Sequence, residues 1–215
     1  MYLATSTRPD IAFTVSTLAR FNQNPGMVHW QAVKHLLRYL KGTMDMCLTY
    51  GPSPSSKTTS LFTTYTDASY AGDLEKHRSV GGYVVMVGTG AVSWSSKLQP
   101  LISLSTTEAE YVAAVEAGKE MLWMRNLLTE LGYKIQDASP LFTDSNSALS
   151  VAKNPEHHGK MKYLDLRFYW LREAVEAGVI EPSHIAGALM PADILTKALP
   201  RQKVEQFRRM MGLEG

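Results

Sequence analysis

The sequence holds a single cysteine, Cys47, among 215 residues. No intrachain disulfide can form, and nothing here calls for an oxidising compartment. Excess charge is also scarce: 22 lysines and arginines against 20 aspartates and glutamates leave a formal net charge of +2. A protein that gathers nucleic acid by bulk charge is strongly basic, so any such contact must come from local patches. No apolar run approaches the ~18 residues of a membrane-spanning helix. The opening residues lack the basic start and apolar stretch of a secretory leader. No membrane association is expected, and the reading places the protein inside the cell. No internal repeat is present. What is there is ordinary: 45% hydrophobic and 20% charged residues, enough for one main domain with an appendage. The abrupt, helix-like start reads as a piece of a longer polypeptide.

Apolar periodicity predicts two helices first. One runs from about Pro9 to Asn22, with Ile11, Val15 and Leu18 on one face. Asn24-Pro25-Gly26 is a turn. The other runs from about Val28 to Lys41, with Val33, Leu36, Leu37 and Leu40 as its stripe and Gly42 as its stop. Residues 51–60, rich in Pro, Ser and Thr, are a linker by composition. Residues 1–50 are therefore a helical segment, and a second domain occupies 61–215.

That domain opens with strands at Leu61–Thr66, Gly82–Gly88 and Ala91–Ser95, the last two joined by a tight turn at Thr89-Gly90. A long helix follows to Gly132. Ser105 and Glu108 have capping-box spacing at its start. Next come a strand at Pro140–Thr143, helices at Ser147–Lys153 and Leu164–Ala177, a strand at Val179–His184 and a helix opened by Pro191. Three antiparallel strands followed by strands separated by helices predict an α/β domain with a mixed five-stranded sheet flanked by helices. A C-terminal helix carries Arg201, Lys203, Arg208 and Arg209, with its charges expected outward.

Four carboxylates fall at element ends: Asp67, Glu110, Asp144 and Asp193. Taken singly, such positions have common uses as turn, cap or helix-dipole residues. Taken together they suggest more. Hard divalent cations take oxygen ligands, and a pair of them about 3.5–4 Å apart can activate water and stabilise the leaving oxygen of a phosphodiester. Four carboxylates converging without a cation would repel one another and raise their pKa values.

The words around these residues carry a resemblance. They are Tyr-Leu-Ala-Thr-Ser-Thr-Arg-Pro-Asp-Ile-Ala (2–12), Leu-Leu-Arg-Tyr-Leu-Lys-Gly-Thr (36–43), Tyr-Thr-Asp-Ala-Ser-Tyr-Ala-Gly-Asp (65–73) and Arg-Ser-Val-Gly-Gly-Tyr (78–83). Further along stand Ser-Trp-Ser-Ser-Lys-Leu-Gln (93–99), Leu-Ser-Thr-Thr-Glu-Ala-Glu-Tyr (104–111) and Ala-Asp-Ile-Leu-Thr-Lys-Ala-Leu-Pro (192–200). In content and order the chain resembles the C-terminal region of copia-type LTR retrotransposon reverse transcriptase polyproteins: a connection segment, then an RNase H-like domain.

The resemblance implies a ribonuclease H that cuts the RNA strand of an RNA–DNA hybrid using two Mg²⁺ ions, with Mn²⁺ as an alternative. It implies that Asp67 touches both ions, Glu110 and Asp144 share one with it, and Asp193 shares the other. Glu110 is preferred to Glu108 because its Ala-Glu-Tyr word matches the family's. His184, in Pro-Ser-His, would assist proton transfer or product release, a role suited to a group that titrates near neutrality. Substrate contacts would come from Ser105, Thr106, Thr107, Ser145 and Asn146 at the minor groove and from Arg78 at a phosphate. Capping and turn chemistry is the competing use of the short polar residues.

The implied partners are the hybrid and the polymerase domain of the same polyprotein, with no nucleotide cofactor. The implied setting is a cytoplasmic virus-like particle or the nucleus. The stretch His157-His158-Gly159-Lys160-Met161-Lys162 could track phosphates, although a solvated loop is the plainer reading; Tyr163 departs from the family's usual His. The polymerase's own Asp-Asp motif is not in the chain, so no DNA synthesis is expected. The rival readings are a catalytically weak or inactive module that binds nucleic acid or a polymerase partner, and another nuclease of the same fold such as an integrase. All four carboxylates are present, which argues against the first. The Ala-Glu-Tyr and Ala-Asp-Ile-Leu-Thr-Lys words argue against the second.

Overall fold

A computed structural model describes residues 1–52, 60–73, 76–153 and 169–215. Most of the sequence-read linker, the basic stretch at 157–162 and the helix start expected at Leu164 lie outside the described residues. Among those described, no helix is long and apolar enough to cross a membrane.

The N-terminal part forms α1 (Tyr2–Ser6), a 3₁₀ turn at Pro9–Ile11, α2 (Ala12–Ala19) and α3 (Met27–Lys41). One continuous helix was expected from Pro9 to Asn22. Instead Pro9 opens a 3₁₀ turn that leads into α2, which ends at Ala19. A short strand, β1 (Cys47–Leu48), comes next. Then come β2 (Phe62–Ser69), β3 (Val80–Val87), β4 (Gly90–Leu98), α4 (Thr106–Glu130), β5 (Ser139–Thr143) and α5 (Asn146–Lys153). The chain continues with α6 (Tyr169–Glu176), β6 (Ile180–His184), 3₁₀ turns at Gly187–Leu189 and Pro191–Leu195, α7 (Arg201–Met210) and β7 (Leu213–Glu214).

The main sheet has the order β4-β3-β2-β5-β6. β2, β3 and β4 pair antiparallel, while β5 and β6 add in parallel. This is the mixed five-stranded sheet with flanking helices that the element order predicts. The β3–β4 turn falls one residue earlier than expected. Val87 pairs with Gly90, leaving Gly88-Thr89 as the loop. Gly88 has φ +60 at the first loop position, where a two-residue hairpin turn with one left-handed residue wants glycine.

Side chains alternate across the sheet, so each face builds its own core. Val85 joins Phe62, Tyr111, Met121, Leu141 and Leu171 beneath α4, α5 and α6. Val84 and Met86 face the other way and pack with Ala12, Ile194, Leu195, Phe207 and Met211. The N-terminal helices, the Pro191–Leu195 turn and α7 cover that second face. Trp94 Nε1 donates to the Ala4 carbonyl at 2.7 Å, and β7 pairs with β1. The last residues therefore stitch the N-terminal segment to the sheet. The strand pair β1–β7 and α1 were not anticipated: two-residue strands and five-residue helices carry too little periodicity to read.

The word Thr-Arg-Pro-Asp has a clear structural use. Arg8 and Asp10 are both buried and form a two-pronged ion pair at 2.9 and 2.8 Å. Tyr39 of α3 donates to Asp10 at 2.6 Å, and Arg8 donates to the Thr43 carbonyl at 3.0 Å. Arg208 of α7 reaches the Tyr39 hydroxyl at 3.4 Å, so this arginine turns inward rather than outward as expected. The stripe of α3 is only half covered. No residue of α3 is buried, and Leu37 is 55% exposed.

Removing one member of a buried, fully bonded ion pair leaves the other unpaired, at about 3–5 kcal/mol. Asp10→Ala is expected to lower unfolding free energy by about that much, read by urea denaturation. Tyr39→Phe, which removes one hydrogen bond, is expected to lower it by about 1 kcal/mol.

Candidate hard-cation centre

The centre is built at Asp67. It stands two residues before the end of β2, at 1% exposure, rather than at the strand's last position. It shares a face with Tyr65 and lies opposite Gly82 of β3. Gly82 explains how the rest of the centre reaches it. A Cβ on that residue would sit 2.8 Å from Leu195 Cβ and 2.9 Å from Thr196 Cγ2, closer than real Cβ contacts allow. Glycine thus lets the Pro191–Leu195 turn lie directly on β3. The expected late helix is this 3₁₀ turn, still opened by Pro191. It delivers three groups to Asp67. The Thr196 hydroxyl donates a hydrogen bond to Asp67 Oδ2. Lys197 Nζ stands 3.4 Å from Asp67 Oδ2 and 3.0 Å from Asp193 Oδ1. Asp193 is itself buried.

Glu110 arrives from the other side, one turn into α4. Ser105 caps that helix by accepting the Glu108 N–H at 3.1 Å, and Glu108 reaches back to the Leu104 N–H at 2.7 Å. The cap is therefore a variant of the expected box, with Glu108 bonding one residue earlier than the N-cap. Asp144 comes directly after β5. Ligand atoms of Asp67, Glu110 and Asp144 all lie within 4.8 Å of one another. Of the four predicted carboxylates, these three converge tightly, and Asp193 joins through Asp67 and Lys197.

The electrostatics arise from the crowding. Burial, then the charges of Asp67 and Asp144, push Glu110 up to about 9, while the Ala68 N–H and Lys197 pull the other way. Its Oε2 is enclosed with no hydrogen-bond partner among the described residues. Burial and the Asp67 charge also raise Asp144 and Asp193. Burial works against the Lys197 ammonium, but Asp67 and Asp193 outweigh it and hold it charged. These are the shifts expected of carboxylates crowded together and buried. A set of hard oxygen donors with one buried atom left unbonded fits a small divalent ion.

Of the other sequence-read positions, some stand beside the carboxylates and Arg78 stands away from them. His184 is exposed at the end of β6, opposite Thr143, and close enough to Asp144 to act on it electrostatically. A Cβ on Gly187 would sit 3.3 Å from Asp144 Oδ2, so backbone closes that side. Ser105 is engaged in capping α4, with Thr106 and Thr107 in the first turn. Ser145 Oγ accepts the Ala148 N–H at 3.2 Å, capping α5, beside exposed Asn146. The structure thus gives both serines the capping use. Arg78 stands in the β2–β3 connection, beyond the Ser69–Val80 pair and outside the carboxylate cluster, where its carbonyl accepts the Asp73 N–H at 3.0 Å. Thr196 and Lys197 were not singled out from sequence. The available signal was their i+3 and i+4 spacing from Asp193.

Three carboxylates converging at one end of a mixed sheet define an α/β protein with an acidic cluster whose donors could hold a metal ion. The similarity to known proteins narrows this. No protein-family model matches the chain. The chain is 44% identical over 213 residues to the retrovirus-related Pol polyprotein from transposon TNT 1-94 of Nicotiana tabacum, covering 99% of this chain and 16% of the relative. It is 36% identical over 212 residues to that from transposon RE2 of Arabidopsis thaliana, covering 99% and 14%. Over nearly its whole length the chain matches a segment of the retrovirus-related Pol polyproteins of transposons, and it spans about a sixth of the length of these relatives. Among solved structures, LC11-RNase H1 in complex with RNA/DNA hybrid is similar over 63% of this chain and 93% of its own, at 17% identity and a TM-score of 0.44.

The raised carboxylates fix a pH dependence. A carboxyl whose folded pKa lies above its unfolded value keeps its proton longer in the folded state. Without a divalent ion, stability is therefore greatest below the unfolded value and falls as pH rises towards the folded one. Melting temperature in chelator is expected to fall between about pH 4.5 and pH 9 for Glu110. Glu110→Gln is expected to raise stability in chelator at pH 7.5 by roughly 2–4 kcal/mol. Saturating Mg²⁺ should flatten the wild-type profile. A chelator profile that rises across this range would refute the assignment.

Proposed function

We propose that the chain is a ribonuclease H-like nuclease that hydrolyses the RNA strand of RNA–DNA hybrids, acting as a segment of a transposon Pol polyprotein. The observation that carries this reading is the convergence of Asp67, Glu110 and Asp144 within 4.8 Å, with a buried Glu110 oxygen lacking a partner. Asp67, Glu110 and Asp144 would hold one Mg²⁺, and Asp67 with Asp193 a second. When bound, the pair supplies an activated water and charge stabilisation at the leaving oxygen of the phosphodiester.

The chain's own groups do the rest. The sheet and the cap of α4 fix the carboxylates before substrate arrives, so little reorganisation accompanies the reaction. Gly82 lets the turn that carries Asp193 lie directly on β3. His184, exposed beside Asp144, can pass a proton between the reacting phosphate and solvent. Short polar groups stand at the starts of α4 and α5, Ser105, Thr106 and Thr107 at one and Ser145 and Asn146 at the other. A hybrid's wide, shallow minor groove, with its 2′-hydroxyls, suits such groups. Arg78 would lie further along the phosphate backbone. The polymerase domain of the polyprotein is the proposed neighbour. The exposed apolar side chains of α3, Val28, Trp30 and Leu37, are in keeping with a covered face.

The test is cleavage of a labelled RNA–DNA hybrid with Mg²⁺ or Mn²⁺, with chelator, and with single-stranded RNA and duplex DNA as controls. RNA cleavage confined to the hybrid and lost with chelator is expected. Asp67→Asn and Asp144→Asn should each abolish it, a loss of about 10³-fold or more, while circular dichroism stays native. Full activity in either variant sinks the assignment. His184→Ala should slow turnover and leave cation binding intact. Hybrid binding without cleavage in either metal would favour a binding module.

A further inference from the structure

Lys197 stands where the two arms of the centre meet. Its ammonium bridges Asp67 Oδ2 at 3.4 Å and Asp193 Oδ1 at 3.0 Å. The Asp67 and Asp193 side chains are 1% and 11% exposed, whereas that of Lys197 is 39% exposed. Of the three charged groups, only the lysine has a way out. It sits at the end of a flexible four-carbon stem. It also borders a cavity of about 270 Å³ that Asp10, His35, Tyr39 and Leu199 help to line. Among the described residues it forms no ion pair with Glu110 or Asp144.

A divalent ion on the Asp67–Asp193 arm would use the oxygens that the ammonium now holds, at about 2.0–2.1 Å for Mg²⁺. Two cations cannot share that position. We propose that Lys197 is a built-in countercation, which holds the Asp67–Asp193 arm in place of a divalent ion, is displaced when that ion binds, and so sets the cation concentration at which the arm fills. This rests on the reading of the carboxylates as a divalent-cation centre. Binding is then linked to lysine release: whatever stabilises the lysine-closed arrangement weakens the ion by the same factor. The Asp67–Glu110–Asp144 arm, where the lysine holds Asp67 alone, fills first.

The test uses the 215-residue chain and Mn²⁺ itself. Free Mn²⁺ is followed by electron paramagnetic resonance during titration, and melting temperature is read in chelator and in saturating Mn²⁺. The variants are Lys197→Gln, Lys197→Arg, Asp193→Asn and the Asp193→Asn/Lys197→Gln pair. Lys197→Gln is expected to melt lower in chelator, to bind its weaker Mn²⁺ at least about fivefold more tightly, and to gain more in melting temperature from Mn²⁺ than wild type. Lys197→Arg keeps the charge and should bind as wild type does. Asp193→Asn should erase the effect of Lys197→Gln. Unchanged or weaker Mn²⁺ binding in Lys197→Gln overturns the proposal. So does a loss of hybrid affinity in chelator with Mn²⁺ binding unchanged, which would make Lys197 a phosphate contact. Absence of Mn²⁺ binding in wild type and every variant overturns the cation-centre reading as well, so the two failures are distinguishable.

Discussion

One buried carboxylate governs the arrangement. Asp67 sits in the central strand at 1% exposure, and an ionised group there is strongly unfavourable unless it is paired and hydrogen-bonded. The fold answers with a hydroxyl from Thr196 and an ammonium from Lys197, the two residues directly after the Pro191–Leu195 turn. That turn reaches Asp67 only because residue 82 has no side chain. Glu110, Asp144 and Asp193 are then brought close as well, which adds repulsion that one lysine does not remove. Buried carboxylates crowded in this way fit a divalent cation, the occupant proposed for them.

The scaffold makes such crowding tolerable. The two faces of the sheet bury separate apolar clusters, and the N-terminal helices close the second face instead of standing apart from it. The Arg8–Asp10–Tyr39 contact ties the start of α2 to α3 and reaches Arg208 of α7. The same layer that covers Val84 and Met86 also contains Leu195, two residues from Lys197. Packing on the second face and geometry at the site are thus parts of one assembly.

Much of this was legible in the sequence, and the parts that were not had physical causes. The order of strands and helices came from period-2 and period-3.6 patterning, and the three tightly grouped carboxylates were all picked out. Position within an element was less legible. Asp67 reads as a strand-end residue, yet β2 continues to Ser69 because those residues still pair with Gly81 and Val80. The turn at Pro191 reads as a helix since Pro, Asp and an apolar pair suit either form, and only its seat on Gly82 favours the tight one. Lys197 escaped notice because a lysine four residues after an aspartate is ordinarily a surface pair. Its importance comes from Asp67, far away in sequence and 3.4 Å away in space. The α3 stripe reads as core, but periodicity cannot say what covers a face, and Leu37 is left exposed.

Occupation of these carboxylates by divalent cations is read in crystals of the chain grown with Mn²⁺ and measured for anomalous scattering. A Mn²⁺ peak is expected at coordination distance, about 2.0–2.4 Å, from oxygens of Asp67, Glu110 and Asp144. Saturating Mn²⁺ with those three side chains in place and no peak among them would contradict it.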